Sequence, residues 1–108
     1  MKAIFSGADD DGLASTLEGM GVDLTRIDGV ATRPALEEAG IHDADLFVLT
    51  DIGQATAIAI AKDLNDTVRL VVYATDSLPE YVRGMDVLKV DPRLLGPDAV
   101  AEELTSPS

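Results

Sequence analysis

The 108-residue sequence predicts an α/β fold of three layers, α/β/α, built on a five-stranded parallel sheet of strand order 2-1-3-4-5. Three observations carry this expectation. Five short apolar runs alternate with segments of helical periodicity, the pattern of parallel strands joined by crossover helices. Two of the runs, Leu46-Phe47-Val48-Leu49 and Leu70-Val71-Val72-Tyr73, are continuous rather than alternating, as strands covered on both faces are, and so belong in the middle of the sheet. Right-handed crossovers leave few topologies for five such units, and the order 2-1-3-4-5 of Rossmann- and flavodoxin-like sheets is the simplest.

The first strand is Ala3-Ile4-Phe5, entered directly from the N-terminus. Gly12 to Met20 follows as a helix with Leu13, Leu17 and Met20 on one face. Leu24 to Ile27 is the second strand, closed by Asp28-Gly29. Thr32 before Arg33-Pro34 is an N-cap for a short helix, Pro34 to Ala39. Leu46 to Leu49 is the third strand. Gln54 to Leu64 is a helix with Ala57, Ile58, Ala61 and Leu64 in register, and its alanine-rich first half is apolar on nearly every side. That excess predicts a homodimer through this helix or its neighbours. Leu70 to Tyr73 is the fourth strand. Ser77-Leu78-Pro79-Glu80 reads as a capping box opening a helix to Arg83. Val87 to Val90 is the last strand and Pro97 to Leu104 the last helix, so residues 1–104 form one domain and 105–108 a polar, frayed tail.

Composition sets further bounds. Twenty acidic residues, 14 of them aspartate, face eight basic ones, a formal charge of −12. With lysine reduced to Lys2, Lys62 and Lys89, this is the surface of a protein adapted to a salt-rich cytoplasm, where molar salt shrinks the Debye length to about 3 Å. No cluster of Lys and Arg is available for a phosphate backbone, which argues against nucleic acid as a partner. The absence of cysteine excludes disulfides and thiol chemistry, and the lone His42, read as solvated, cannot build a histidine-rich metal site. The longest apolar run, Ala55 to Ala61, falls well short of the roughly 20 residues that a bilayer span needs. No export signal is evident, so direct membrane insertion is excluded and the expected location is cytoplasmic.

Ligands of open α/β sheets bind beyond the carboxyl ends of the strands, at the point where strand order reverses. The residues there are Ser6 to Gly12, Asp28-Gly29, Thr50 to Gln54 and Thr75-Asp76; of these Gly7, Asp9, Gly12, Asp28, Thr50 and Asp51 are taken as candidate cofactor-binding positions, with no catalytic and no metal-ligating residue assigned. Each has a plainer reading. Gly7 and Gly12 serve any tight strand-to-helix turn, Asp9 to Asp11 complement a helix dipole, Asp51 or Thr50 caps the third long helix, and Asp28 is a turn residue beside Gly29.

Three stretches carry a family resemblance: Leu36-Glu37-Glu38-Ala39-Gly40-Ile41-His42-Asp43-Ala44-Asp45; Ala59 to Asn65 leading into Val68 to Val72; and Val90-Asp91-Pro92 with Leu94-Leu95-Gly96. In that order they resemble the TrkA-N domain, the N-terminal domain of regulators of potassium conductance. The resemblance implies a Rossmann-like fold, pairing through helices, and sensing of NAD or an adenine nucleotide on behalf of a membrane transporter or other regulatory partner. The first third departs from the pattern. Only Val22 to Asp28 stands where that family has further elements, so Asp28 is either the ribose-binding acid or the end of the next strand. In Gly7-Ala8-Asp9-Asp10-Asp11-Gly12, Asp9 stands where the second glycine of the phosphate fingerprint belongs. A carboxylate there repels pyrophosphate, so the expected NAD binding is weak or absent. Binding could return through a cation bridging Asp9 or Asp10 to phosphate, or with a less charged ligand held at Asp28 and Thr50.

A second set of residues, Asp9 and Asp10, Asp51, Thr75 and Lys89, resembles the phosphoacceptor site of response-regulator receiver domains, which implies magnesium and phosphorylation of Asp51. No nucleophile elbow, phosphate-binding P-loop or acid/base pair indicates an enzyme. The sequence thus reads as a small, stand-alone, non-enzymatic regulatory domain of nucleotide-binding type with a degenerate glycine motif. The alternatives are a receiver-like signalling domain and a purely structural interaction module.

Overall fold

The computed structural model describes residues 1–106 and contains the expected sheet. Strands β1 (Lys2–Ser6), β2 (Asp23–Ile27), β3 (Leu46–Leu49), β4 (Arg69–Tyr73) and β5 (Val87–Val90) are all parallel, in the order β2-β1-β3-β4-β5. Helices α1 (Leu13–Gly19), α2 (Arg33–Ala39), α3 (Thr56–Leu64), α4 (Glu80–Arg83) and α5 (Pro97–Thr105) complete the alternation, with 3-10 turns at Ile41–Asp43 and Ile52–Gln54.

Strand alternation sends side chains to two separate cores. Ile4, Phe47, Leu49, Leu70 and Val72 pack under α2, α3 and α4, against Leu36, Ile58, Ala61 and Val82. On the other face Ala3, Phe5, Leu46, Val48, Val71 and Tyr73 meet Leu13 and Leu17 of α1 and Val100, Ala101 and Leu104 of α5. All four residues of β3 are buried, which is why that run carries no polar alternation. Registers Ser6↔Leu49, Leu49↔Val72 and Tyr73↔Val90 level the strands, so the loops after β1, β3, β4 and β5 converge at one end.

Thr32 caps α2 as its sequence predicts, its hydroxyl accepting from the Ala35 N–H at 3.2 Å. Three boundaries differ. The helix read from Gln54 is a 3-10 turn followed by α3, and Asp51 caps the turn. The Ser77–Glu80 capping box does not form: Leu78 packs on the α2–α3–α4 layer, Pro79 stays extended at ψ 152°, and α4 begins only at Glu80 with no side-chain cap. The tail expected from 105 starts later, because α5 includes Thr105, whose hydroxyl donates to the Ala101 carbonyl at 2.8 Å. Residues 107–108 of that tail lie outside the described residues.

In α3, Ala57, Ile58 and Ala61 are buried, and Ile60 and Leu64 pack on the same core, leaving Ala59 as the one exposed apolar side chain of the helix. Most of the apolar surface of α3, from which a dimer through this helix or its neighbours was expected, is therefore covered within the chain. Among the described residues no helix is long and apolar enough to cross a membrane.

Candidate functional site

The loop from β1 to α1 is held by a close approach. Gly7 sits at φ 109°, and a Cβ at this position would lie 2.2 Å from Thr50 Oγ1. That hydroxyl donates to the Ala8 carbonyl at 2.8 Å, and the Thr50 N–H donates to the Ser6 carbonyl at 3.0 Å, so Thr50 ties the β3 exit to the β1 exit. Only glycine fits there. Gly12, at φ 81°, is the N-cap residue of α1.

Asp9 shapes this loop most. Its carboxylate accepts from the Ala14 N–H at 2.7 Å, the Ser15 N–H at 3.1 Å and the Ser15 hydroxyl at 3.2 Å, taking the free amides at the start of α1. Arg26 of β2 approaches the same carboxylate at 4.0 Å while bonding Glu18 at 2.7 Å. The Glu18 hydrogen bond, with the nearby charges of Asp9 and Asp28, holds the Arg26 guanidinium above its usual pKa. In a dinucleotide fold these amides face pyrophosphate. Here the chain's own carboxylate occupies them.

A cleft of about 340 Å³ opens where the β1, β3, β4 and β5 loops meet. Four carboxylates line it, Asp10, Asp11, Asp51 and Asp76, with Thr50, Thr75 and Tyr73 between them and no lysine or arginine among the lining residues. Asp51 accepts from the Gly53 N–H at 2.9 Å and from Gln54 Nε2 at 3.4 Å, so its carboxylate also stabilises its own turn. Thr50, Asp51, Asp10 and Thr75 are thus brought together. Asp28 is not: it sits exposed beside Gly29 at φ 80°, on a shallow groove of about 270 Å³ along β2 with Arg26 and Glu38. Lys89 does not line the cleft either, its ammonium donating to the Ala74 carbonyl at 2.6 Å. Among the described residues no three His, Asp or Glu side chains stand close enough together to hold a metal ion.

Two residues take structural roles that their sequence context does not announce. Gln54 Oε1 accepts from the Ala31 N–H at 2.7 Å and straps the β2–α2 loop to the β3–α3 loop. Tyr73 donates its hydroxyl to the Leu95 carbonyl at 2.8 Å, anchoring the loop after β5; burial, and then the charge of Asp11, raises its phenol pKa above the ordinary value. A lone aromatic hydroxyl ending an otherwise aliphatic strand was the available signal for the second.

With this geometry in place, the relatives are informative about shape. No curated protein sequence matches the chain. A structure described as pilus assembly-related, from Burkholderia pseudomallei, superposes with TM-score 0.65 at 19 % identity over 96 % of this chain and 86 % of the other. A second, described as the pilus assembly protein CpaE of Burkholderia thailandensis, gives TM-score 0.61 at 20 % identity over 96 % and 95 %. At these identities the likeness is one of fold. One family model covers residues 3–104, from the first strand to the last helix, and the chain belongs to that family, DUF7126, a family of unknown function.

Proposed function

We propose that the chain is a non-enzymatic regulatory module that acts through protein contacts, on a nucleotide-binding-type fold whose phosphate loop is closed by its own Asp9. The carrying observation is the Asp9 carboxylate on the Ala14 and Ser15 amides. A ligand phosphate would have to displace it and then face Asp10 and Asp11, each carboxylate opposing it by roughly 1 kcal/mol at about 4 Å even in bulk water. The TrkA-N resemblance of residues 36–96 supports a regulatory lineage, with a transporter or other regulatory protein as partner. The fold shared with two proteins described in terms of pilus assembly also fits a module that works within a larger assembly. Calorimetry with NAD, ATP and ADP in molar potassium chloride, with and without magnesium, tests this: the expected result is no binding tighter than millimolar, and tight, magnesium-independent NAD binding refutes it.

A second reading is favoured by one observation, the placement of Asp51 and Thr75 with Asp10 in one cleft. It is a receiver-like phosphoacceptor role for Asp51. Acetyl phosphate with magnesium, followed by mass spectrometry, would then label wild type stoichiometrically and leave Asp51→Asn unlabelled; the first reading expects no label on either.

A further inference from the structure

The two free edges of the sheet are unlike. Along β2, Asp23 and Arg26 are exposed, no residue of the strand is a large exposed apolar one, and Arg26 is paired with Glu18. Such charges discourage strand addition. Along β5 the opposite holds: Leu88 is exposed within the strand, and Tyr81, Leu94 and Leu95 are exposed on the segments flanking it. Elsewhere among the described residues only Met1, Met20 and Val30 are comparably exposed apolar side chains, and none of them lies on a strand.

The cation on this edge does not guard it. Lys89 is turned inward, with its ammonium on the Ala74 carbonyl at 2.6 Å. Because the Val90 carbonyl accepts from the Ala74 N–H, Val90 faces β4, and strand alternation turns the N–H and C=O of Lys89 outward to the open edge. A groove of about 700 Å³ continues the edge at its amino end, with Leu70, Val87 and Leu88 in its wall. Its acids Asp66, Asp86 and Glu103 outnumber its cations Lys62 and Arg69, and Lys62 is bonded to the Asp66 carbonyl. Exposed Asp98 and Glu102 of α5 and Glu80 of α4 add to the negative surroundings.

We propose that β5 is a docking edge for an extended segment of a partner protein in which apolar and basic side chains alternate, added beside Lys89 as a sixth strand. Main-chain hydrogen bonds would supply the attachment, Leu88 and the groove the apolar contact, and the surrounding carboxylates the preference for lysine or arginine. A second copy of this chain is disfavoured because its own β5 edge brings the same contact carboxylates, Asp86 and Glu103, and no outward cation, Lys89 being held on the Ala74 carbonyl. The inference rests on the protein-contact reading above and names its surface and partner chemistry.

The test uses a short fluorescent peptide alternating lysine and valine, with a glutamate–valine peptide as control, and amide NMR of the full chain. The expected result is binding of the lysine–valine peptide alone, with shifts centred on residues 86–90. Lys89→Pro, which removes the outward N–H at a position where an edge strand tolerates proline, should weaken binding about tenfold while Lys89→Ala does not. Should Lys89→Pro fail to fold, Leu88→Lys tests the same edge by removing the apolar contact and repelling the peptide. Equal binding of the glutamate–valine peptide, shifts centred on the carboxyl-end cleft, a peptide-independent dimer through β5, or no binding of either peptide overturns the docking edge. None of these outcomes depends on nucleotide affinity, which alone decides the protein-contact reading.

Discussion

Gly7 and Gly12 both take positive φ, 109° and 81°, for different reasons. At Gly12 nothing lies within 4 Å of a built Cβ, so Gly12→Ala meets only the backbone penalty, roughly 1–2 kcal/mol. At Gly7 the overlap with Thr50 Oγ1 adds about 1–3 kcal/mol of overpacking, so Gly7→Ala should be clearly the more destabilising in urea titration. Ser6 offers the reverse case. It is fully buried and its hydroxyl has no partner, so Ser6→Ala should leave stability unchanged or raise it by about 1 kcal/mol, whereas a hidden hydrogen bond would show as a loss. Tyr73 provides a pH signature. Its folded pKa lies above the unfolded value of about 10, so its contribution is fully present below pH about 10 and is lost as pH rises through the folded value. In a Tyr81→Phe variant, which leaves Tyr73 as the only phenol, phenolate absorbance should rise at a higher pH than in the urea-unfolded chain.

At the scale of elements, caps separate what a local motif can do from what packing permits. Thr32 and Ser77 both precede a proline-containing first turn, yet only Thr32 accepts a helix amide. Thr32→Ala should therefore cost about 1 kcal/mol and Ser77→Ala close to nothing, a contrast that equal losses in thermal melting would contradict. Asp9 illustrates the same principle in reverse: the carboxylate is three residues before the N-cap Gly12, yet the turn, closed by the Gly12 N–H on the Asp9 carbonyl at 3.1 Å, folds it back onto the α1 amides. In α3 the half-buried Ile60 and Leu64 extend the buried face beyond Ala57, Ile58 and Ala61, which an alanine-rich run with apolar residues on nearly every side does not reveal.

For the whole molecule, charge outweighs any single contact. Only four arginine–carboxylate pairs are formed among the described residues, all involving an arginine at least 44 % exposed, so they offset little of a −12 total. Self-repulsion should weaken the fold at low ionic strength and screening should restore it. The melting midpoint followed by circular dichroism should climb from low to molar potassium chloride; a flat response would remove the reading of salt adaptation.

The order of apolar runs was sufficient to determine the five strands, their parallel pairing and the 2-1-3-4-5 arrangement, because continuous Leu46–Leu49 and Leu70–Tyr73 can be buried only between two helical layers. The sequence also placed Thr50, Asp51 and the Gly7–Gly12 loop at one end of that sheet, since strand ends follow from strand positions. What each of those side chains does there was decided only by tertiary contact. Thr50 reaches back to Ala8, 42 residues away in sequence, Gln54 spans 23 residues to Ala31, and Arg26 reaches from β2 to Asp9. Such partners have no local periodicity, and a carboxylate free to meet a ligand and one already bonded to its own backbone look identical as letters. Asp9 became the latter because the turn after Gly7 aims it at the amides of α1, a direction set by φ and ψ rather than by composition.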